Sequence, residues 1–192
     1  MSTRRLLAVA VLTTSAAVAS TAPVAVASTP PAAVAPTKGH SNTLTCSIST
    51  ASRGVSFNPP LRLQRRPTAI TATLALRDCR SPNGRQRHLR SGTLRVRGAA
   101  LAGCTGARDL RGTAAITWRD QHGRHAGTSR LASQPGTQVR SSLADALLAS
   151  RVTSGPLKGH DARGGIIPRG DLLRCHNQGL GTVHGTGRIT FA

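Results

Sequence analysis

The chain has 192 residues and a formal charge of +20; only 2% of it is aromatic, with one Trp, two Phe and no Tyr. A core of this composition has to be built from Leu, Val, Ile and Ala, and six Asp with no Glu leave little from which to assemble the paired carboxylates of glycoside cleavage. No aromatic residues interleave the arginines, which argues against stacking on single-stranded bases.

Residues 1–27 read as an export leader. Arg4 and Arg5 form a positive n-region, Leu6 to Leu12 and the Ala/Val-rich run behind it form the apolar segment, and Ala25-Val26-Ala27 supplies small residues for cleavage after Ala27. Thr13, Thr14, Ser15 and Ser20 interrupt the run, which falls short of the roughly 18 apolar residues a spanning helix needs. No membrane span is expected. Thr3-Arg4-Arg5-Leu6-Leu7 also resembles a twin-arginine signal, and either export route predicts a secreted protein, extracellular or associated with the cell envelope. Residues 28–42 are small, polar and proline-rich without periodicity, the composition of a disordered linker. Residues 43–192 then form one domain of ordinary length.

Within that domain the apolar residues alternate. From Thr68 to Arg77, Ile70, Ala72, Leu74 and Leu76 share one face, while Thr71, Thr73 and Arg77 share the other. Leu94 and Val96 alternate with Thr93, Arg95 and Arg97; Ala114, Ile116 and Trp118 alternate with Thr113, Ala115, Thr117 and Arg119. Val183, Ile189 and Phe191 mark a last strand. Turn signals fall at Asn58-Pro59-Pro60, Ser81-Pro82-Asn83-Gly84, Gln134-Pro135-Gly136, Ser154-Gly155-Pro156 and Gly164-Gly165. Ser142 to Ser150 has the spacing of a short helix, whereas Leu148 to Gly155 reads as a strand running into a turn. Short strands with this punctuation predict an all-β domain, an antiparallel sandwich or barrel. The leader, the alternation and the cysteine placement together argue against a shifted reading frame as the source of the unusual composition.

Cys46, Cys79, Cys104 and Cys175, in an exported chain, predict two disulfides, with three possible pairings. Spacing does not choose among the three. The preferred pairing is Cys46 with Cys79 and Cys104 with Cys175, because the two loops then do not interleave. No pair has the two-to-four-residue spacing of a zinc site.

Candidate chemistry is sparse. His122 and His125 have a spacing found in metal ligands, with Asp120 close by, but the stretch reads as a solvated hairpin loop carrying Gly123. Cys175-His176 fits a cystine beside an exposed histidine better than an activated thiol. Trp118 shares parity with Ile116 and Ala114 and reads as core. No Gly-x-Ser-x-Gly elbow is present. Neither a catalytic residue, nor a metal site, nor a cofactor is assigned.

Charge is the remaining signal. Without Arg4 and Arg5 the 26 Lys and Arg become 24 against six Asp, a formal charge of +18. Such a surface attracts polyanions at long range and binds them with a steep salt dependence. Arg77, Arg95, Arg97 and Arg119, opposite the apolar parity of their strands, are the candidate polyanion contacts. High-GC coding raises Arg, Ala, Gly and Pro together and gives the same imbalance, so drift and selected binding compete.

Several segments also resemble the small secreted proteins of high-GC Gram-positive bacteria. These are Leu44-Thr45-Cys46, Phe57-Asn58-Pro59-Pro60-Leu61, Asp78-Cys79, Gly103-Cys104, the run from Gly112 to Trp118, the run from Val152 to His160, Cys175, and the closing run from Gly185 to Phe191. The resemblance implies a sandwich-like β fold with two internal disulfides and carries no catalytic residue across. Arg stands here at many places that the family fills with Thr, Ser or Asn. The expected function is a non-enzymatic exported domain whose partners are anionic cell-wall polymers or a lipid surface. A protein-binding scaffold module and a loop-borne hydrolase are the alternatives.

Overall fold

A computed structural model describes residues 43–134, 149–170 and 173–192. The leader, the linker and most of the candidate helix from Ser142 lie outside the described residues. Eight strands follow one another: β1 (Leu44–Leu61), β2 (Arg66–Arg80), β3 (Ser91–Gly103), β4 (Gly106–Arg119), β5 (His125–Ser133), β6 (Ser150–Ser154), β7 (Asp161–Arg169) and β8 (Leu180–Phe191), with a single helical turn α1 (Arg174–Asn177) before the last. Each strand pairs antiparallel with the next, and β8 pairs with β1, so the sheet closes into a barrel. Closure removes both edges and with them the rows of unpaired backbone groups that an open sheet exposes. Of the two architectures expected from the sequence, the barrel is the one observed.

The tilt follows from the register. A row of paired residues runs from Thr182 on β8 through Ser56, Thr71, Arg97, Thr113, Ala132 and Arg151 to Asp161. Asp161 exchanges backbone hydrogen bonds with Ala192, ten residues beyond the start of the row. That stagger is about 33 Å at the strand rise, set against about 38 Å for eight interstrand spacings, and it tilts the strands by about 41°. An eight-stranded ring at this tilt has a lumen that side chains can fill.

Alternation fills it. Ile70, Ala72, Leu74 and Leu76 on β2, Leu94 and Val96 on β3, and Ile116 and Trp118 on β4 all point into one continuous core, as their parity predicts. Trp118, Phe191, Leu44, Leu89 and Leu157 belong to that core at the end bearing both strand termini and the β2–β3, β4–β5 and β6–β7 connections. Trp118 and Phe191 meet edge to face, with ring centroids 5.7 Å apart.

Two disulfides are present, Cys46–Cys79 and Cys104–Cys175, the preferred pairing. The first joins the neighbouring strands β1 and β2. The second crosses the opposite mouth of the barrel, from the β3–β4 hairpin to α1.

Two expected turns are strand. Asn58-Pro59-Pro60 lies inside β1, and the chain reverses only after Leu61. Register with β8 is irregular between Ser56 and Leu61, and prolines, which have no N–H to give a ladder, are tolerated at such an interruption. Gly164-Gly165 lies inside β7, with Gly165 opposite Arg188 and Ile166 opposite Gly187. The pair marks no reversal, and the close backbone approach falls on the partner strand, where a Cβ built on Gly187 would overlap the Gly165 carbonyl oxygen. Gly187→Ala is therefore expected to cost about 1–3 kcal/mol as an overpacking substitution. A thermal midpoint equal to the parent's would show that β7 and β8 can part to admit the methyl. By contrast, Ser81–Gly84 and Ser154–Pro156 do turn. Ser81 Oγ accepts the Gln86 N–H, and Gly155 takes φ +81° beside the Thr128 carbonyl, where a side chain has no room.

Candidate polyanion interface

Outward parity on β3 brings Arg95 and Arg97 to the surface two residues apart, about 6.6 Å along the strand. Arg95 faces Thr73 on β2 and Ala115 on β4, and Ala115 in turn faces Arg130 on β5. Arg130 thus stands level with Arg95, two strands and about 9.6 Å away. On the other side, β1 carries a bulge between Thr50 and Val55, with Gly54 at φ +63°. The bulge turns Arg53 into a groove that it shares with Arg95, Arg97, Thr71 and Thr73. A second groove continues past Arg95 and Arg97 to Arg130, over Thr113, Ala115 and Thr153. All four arginines are exposed, and no guanidinium among them has a hydrogen-bond or ion-pair partner among the described residues.

The lattice between them is small and neutral, and the four aspartates among the described residues are placed elsewhere. Asp78 and Asp109 hold left-handed backbone (φ 51° and 56°), a conformation short polar side chains accept. Asp161 Oδ1 accepts from the Gln134 amide. Asp120 sits in the β4–β5 hairpin, where Oδ1 accepts the N–H groups of His122 and Arg124 and Oδ2 accepts Arg124 Nε at 2.9 Å. Desolvation pushes the Asp120 carboxyl up, but the Arg124 and His122 backbone donors and the Arg124 guanidinium together outweigh it and hold it below its ordinary range. None of the four lines either groove.

The other two arginines singled out from the sequence stand apart from this group. Arg77, near the end of β2, faces Ser47, and Arg119 faces Ser91 and donates through Nη1 to the Gly123 carbonyl at 2.8 Å. A row of small residues, Ala75, Thr93 and Thr117, lies between them and Arg95. Arg95 and Arg97 are brought together; Arg77 and Arg119 flank them nearer the Trp118 end. Arg53 and Arg130 are what sequence reasoning missed. Arg53 is displaced from simple alternation by the bulge, and β5 has a weak apolar pattern because its inward Ser129 is polar. Parity of Arg130 against Leu131 was the available signal.

His122 lies against Gln121, and His125 Nε2 lies 3.2 Å from Thr128 Oγ1, so the hairpin pair is engaged locally with Asp120 in a turn. Among the described residues no group of three His, Cys, Asp or Glu is gathered to hold a metal. Cys175 is in a disulfide, so the Cys175-His176 pair presents no thiol. Trp118 is fully buried. No family model, curated protein or solved structure matches the chain.

Proposed function

We propose that this is an exported, non-enzymatic β-barrel that attaches to anionic cell-wall polymer through the outer face of β1–β5. The observation that carries the reading is the run of four exposed guanidinium groups, Arg53, Arg95, Arg97 and Arg130, that have no partner among the described residues and lie along grooves lined by no described carboxylate. Positive charge along such a groove raises the local density of polyanion and speeds its capture. The two disulfides fit an oxidising, extracellular setting. A scaffold module would want a contiguous apolar patch, whereas among the described residues the exposed large apolar side chains number three, Leu63, Ile167 and Leu173, with Ile167 on β7 and the other two in connections.

The purified chain is expected to bind isolated anionic wall material at low salt and to leave it as salt rises. Retention unchanged at about 1 M salt, where the screening length falls to about 3 Å, would overturn the reading.

A further inference from the structure

We infer that the groove takes an acyclic phosphodiester polymer, a polyol phosphate, laid across the strands from Arg53 to Arg130, in preference to a nucleic acid, an anionic polysaccharide or a lipid surface. This rests on the polyanion reading above and narrows it to one chemistry. The first argument is length and shape. From β1 to β5 the site spans four interstrand spacings, about 19 Å, and its cations recur along that line with neutral Thr73 and Ala115 between them. A linear chain of singly charged groups joined by neutral spacers matches that alternation. Each guanidinium offers a planar fork of donors suited to the two free oxygens of a phosphodiester, and the neighbouring Thr71, Thr73, Thr113 and Thr153 hydroxyls are of the kind that pair with polyol hydroxyls.

The second argument is what the face lacks. Phe57, Trp118 and Phe191 are all the aromatics of the chain, and all three are buried in the barrel. Bases of a single strand stack on aromatic side chains, and sugar rings present apolar faces that an aromatic would cover; neither platform exists here. The third is the position of the one exposed large apolar side chain that a strand carries among the described residues. Ile167, 75% exposed, is on β7, which in a ring of eight lies diametrically opposite β3. A barrel lowering its arginines onto headgroups would hold that apolar side chain away from the membrane, whereas interfacial binding combines both on one face.

The test titrates the full chain with a synthetic glycerol-phosphate oligomer of about eight repeats, longer than the site. Comparators of equal charge are single-stranded DNA, a sulfated glycan and vesicles containing anionic lipid. Arg95→Glu with Arg97→Glu is expected to raise Kd for the oligomer by at least about tenfold and to flatten the log–log salt slope from about −3 toward about −1.5. Arg163→Glu with Arg169→Glu changes net charge equally on the opposite face, at β7, and is expected to change Kd by less than about threefold. Circular dichroism checks that each variant is folded, and Arg95→Gln with Arg97→Gln replaces the glutamates if they prevent folding. Equal weakening by both pairs overturns the site. Tighter binding of DNA, glycan or vesicles, dependent on the same arginines, overturns the chemistry and leaves the polyanion reading standing. Failure to bind any of the four overturns both.

Discussion

Replacing Cys104 and Cys175 together by alanine is expected to lower the unfolding free energy by about 4 kcal/mol. The loop closed by this bridge has a sequence separation of 71, and chain-entropy arithmetic for a loop of that length gives about 4.4 kcal/mol. The Cys46–Cys79 loop, with a separation of 33, gives about 3.7 kcal/mol. The two bridges also differ in what else does their work. Cys46 and Cys79 lie on strands joined by a long backbone ladder, so the folded ring holds them close with or without sulfur. Cys104 and Cys175 lie across the barrel mouth, where the Cys104 N–H donating to the Arg62 carbonyl is the backbone bond that anchors the hairpin tip. Losing the bridge unties α1, which leads into β8, the strand that completes the ring. Against a total stability of about 5–15 kcal/mol, such a loss is large. Urea unfolding followed by Trp118 fluorescence checks it: a midpoint shift of less than the equivalent of about 1 kcal/mol would contradict the bridge's role, as would a larger loss from the Cys46–Cys79 pair.

The strands legible in the sequence are the ones whose two faces differ sharply. On β2, β3 and β4 aliphatic residues face Thr or Arg at every second position, and their inward sets are those found in the core. β7 was hidden because its glycines look like a turn, whereas what makes it a strand is pairing with β8, a partner distant in sequence. β1 was cut short by Pro59 and Pro60 because local rules read a proline pair as a reversal, while the long-range register with β8 accommodates it. Closure itself left no local mark. It depends on β8 meeting β1, a pairing over more than a hundred residues of chain, and alternation says only which face is apolar, not how the sheet ends. The candidate site was half legible for the same reason. Arg95 and Arg97 are neighbours in sequence, whereas Arg53 and Arg130 join them only through a bulge and a two-strand register.

Trp118→Ala is expected to cost about 3–5 kcal/mol. The indole is fully buried, packs edge to face on Phe191, and is the largest side chain in a core that is otherwise mostly aliphatic. Its Nε1–H donates to Ser129 Oγ at 2.8 Å, and that hydroxyl donates to the Pro156 carbonyl. One buried relay thus ties β4 to β5 and to the β6–β7 turn, at the end where Leu89 and Leu157 complete the plug. The truncation removes the packing and the donor together, and two further variants separate them. Ser129→Ala keeps the indole but leaves a buried N–H and a carbonyl without partners, at about 1–3 kcal/mol. Trp118→Phe keeps most of the volume and removes the donor. In a double-mutant cycle of these two, followed by circular dichroism because the sole tryptophan is altered, a coupling of about 1 kcal/mol is expected. Zero coupling would mean that Ser129 is held by Pro156 alone. A Trp118→Ala loss below about 1 kcal/mol would mean that the plug closes without its largest member. The same relay explains why a polar residue occupies an inward position on β5: a serine there costs apolar area, but it satisfies the one aromatic N–H that the core encloses.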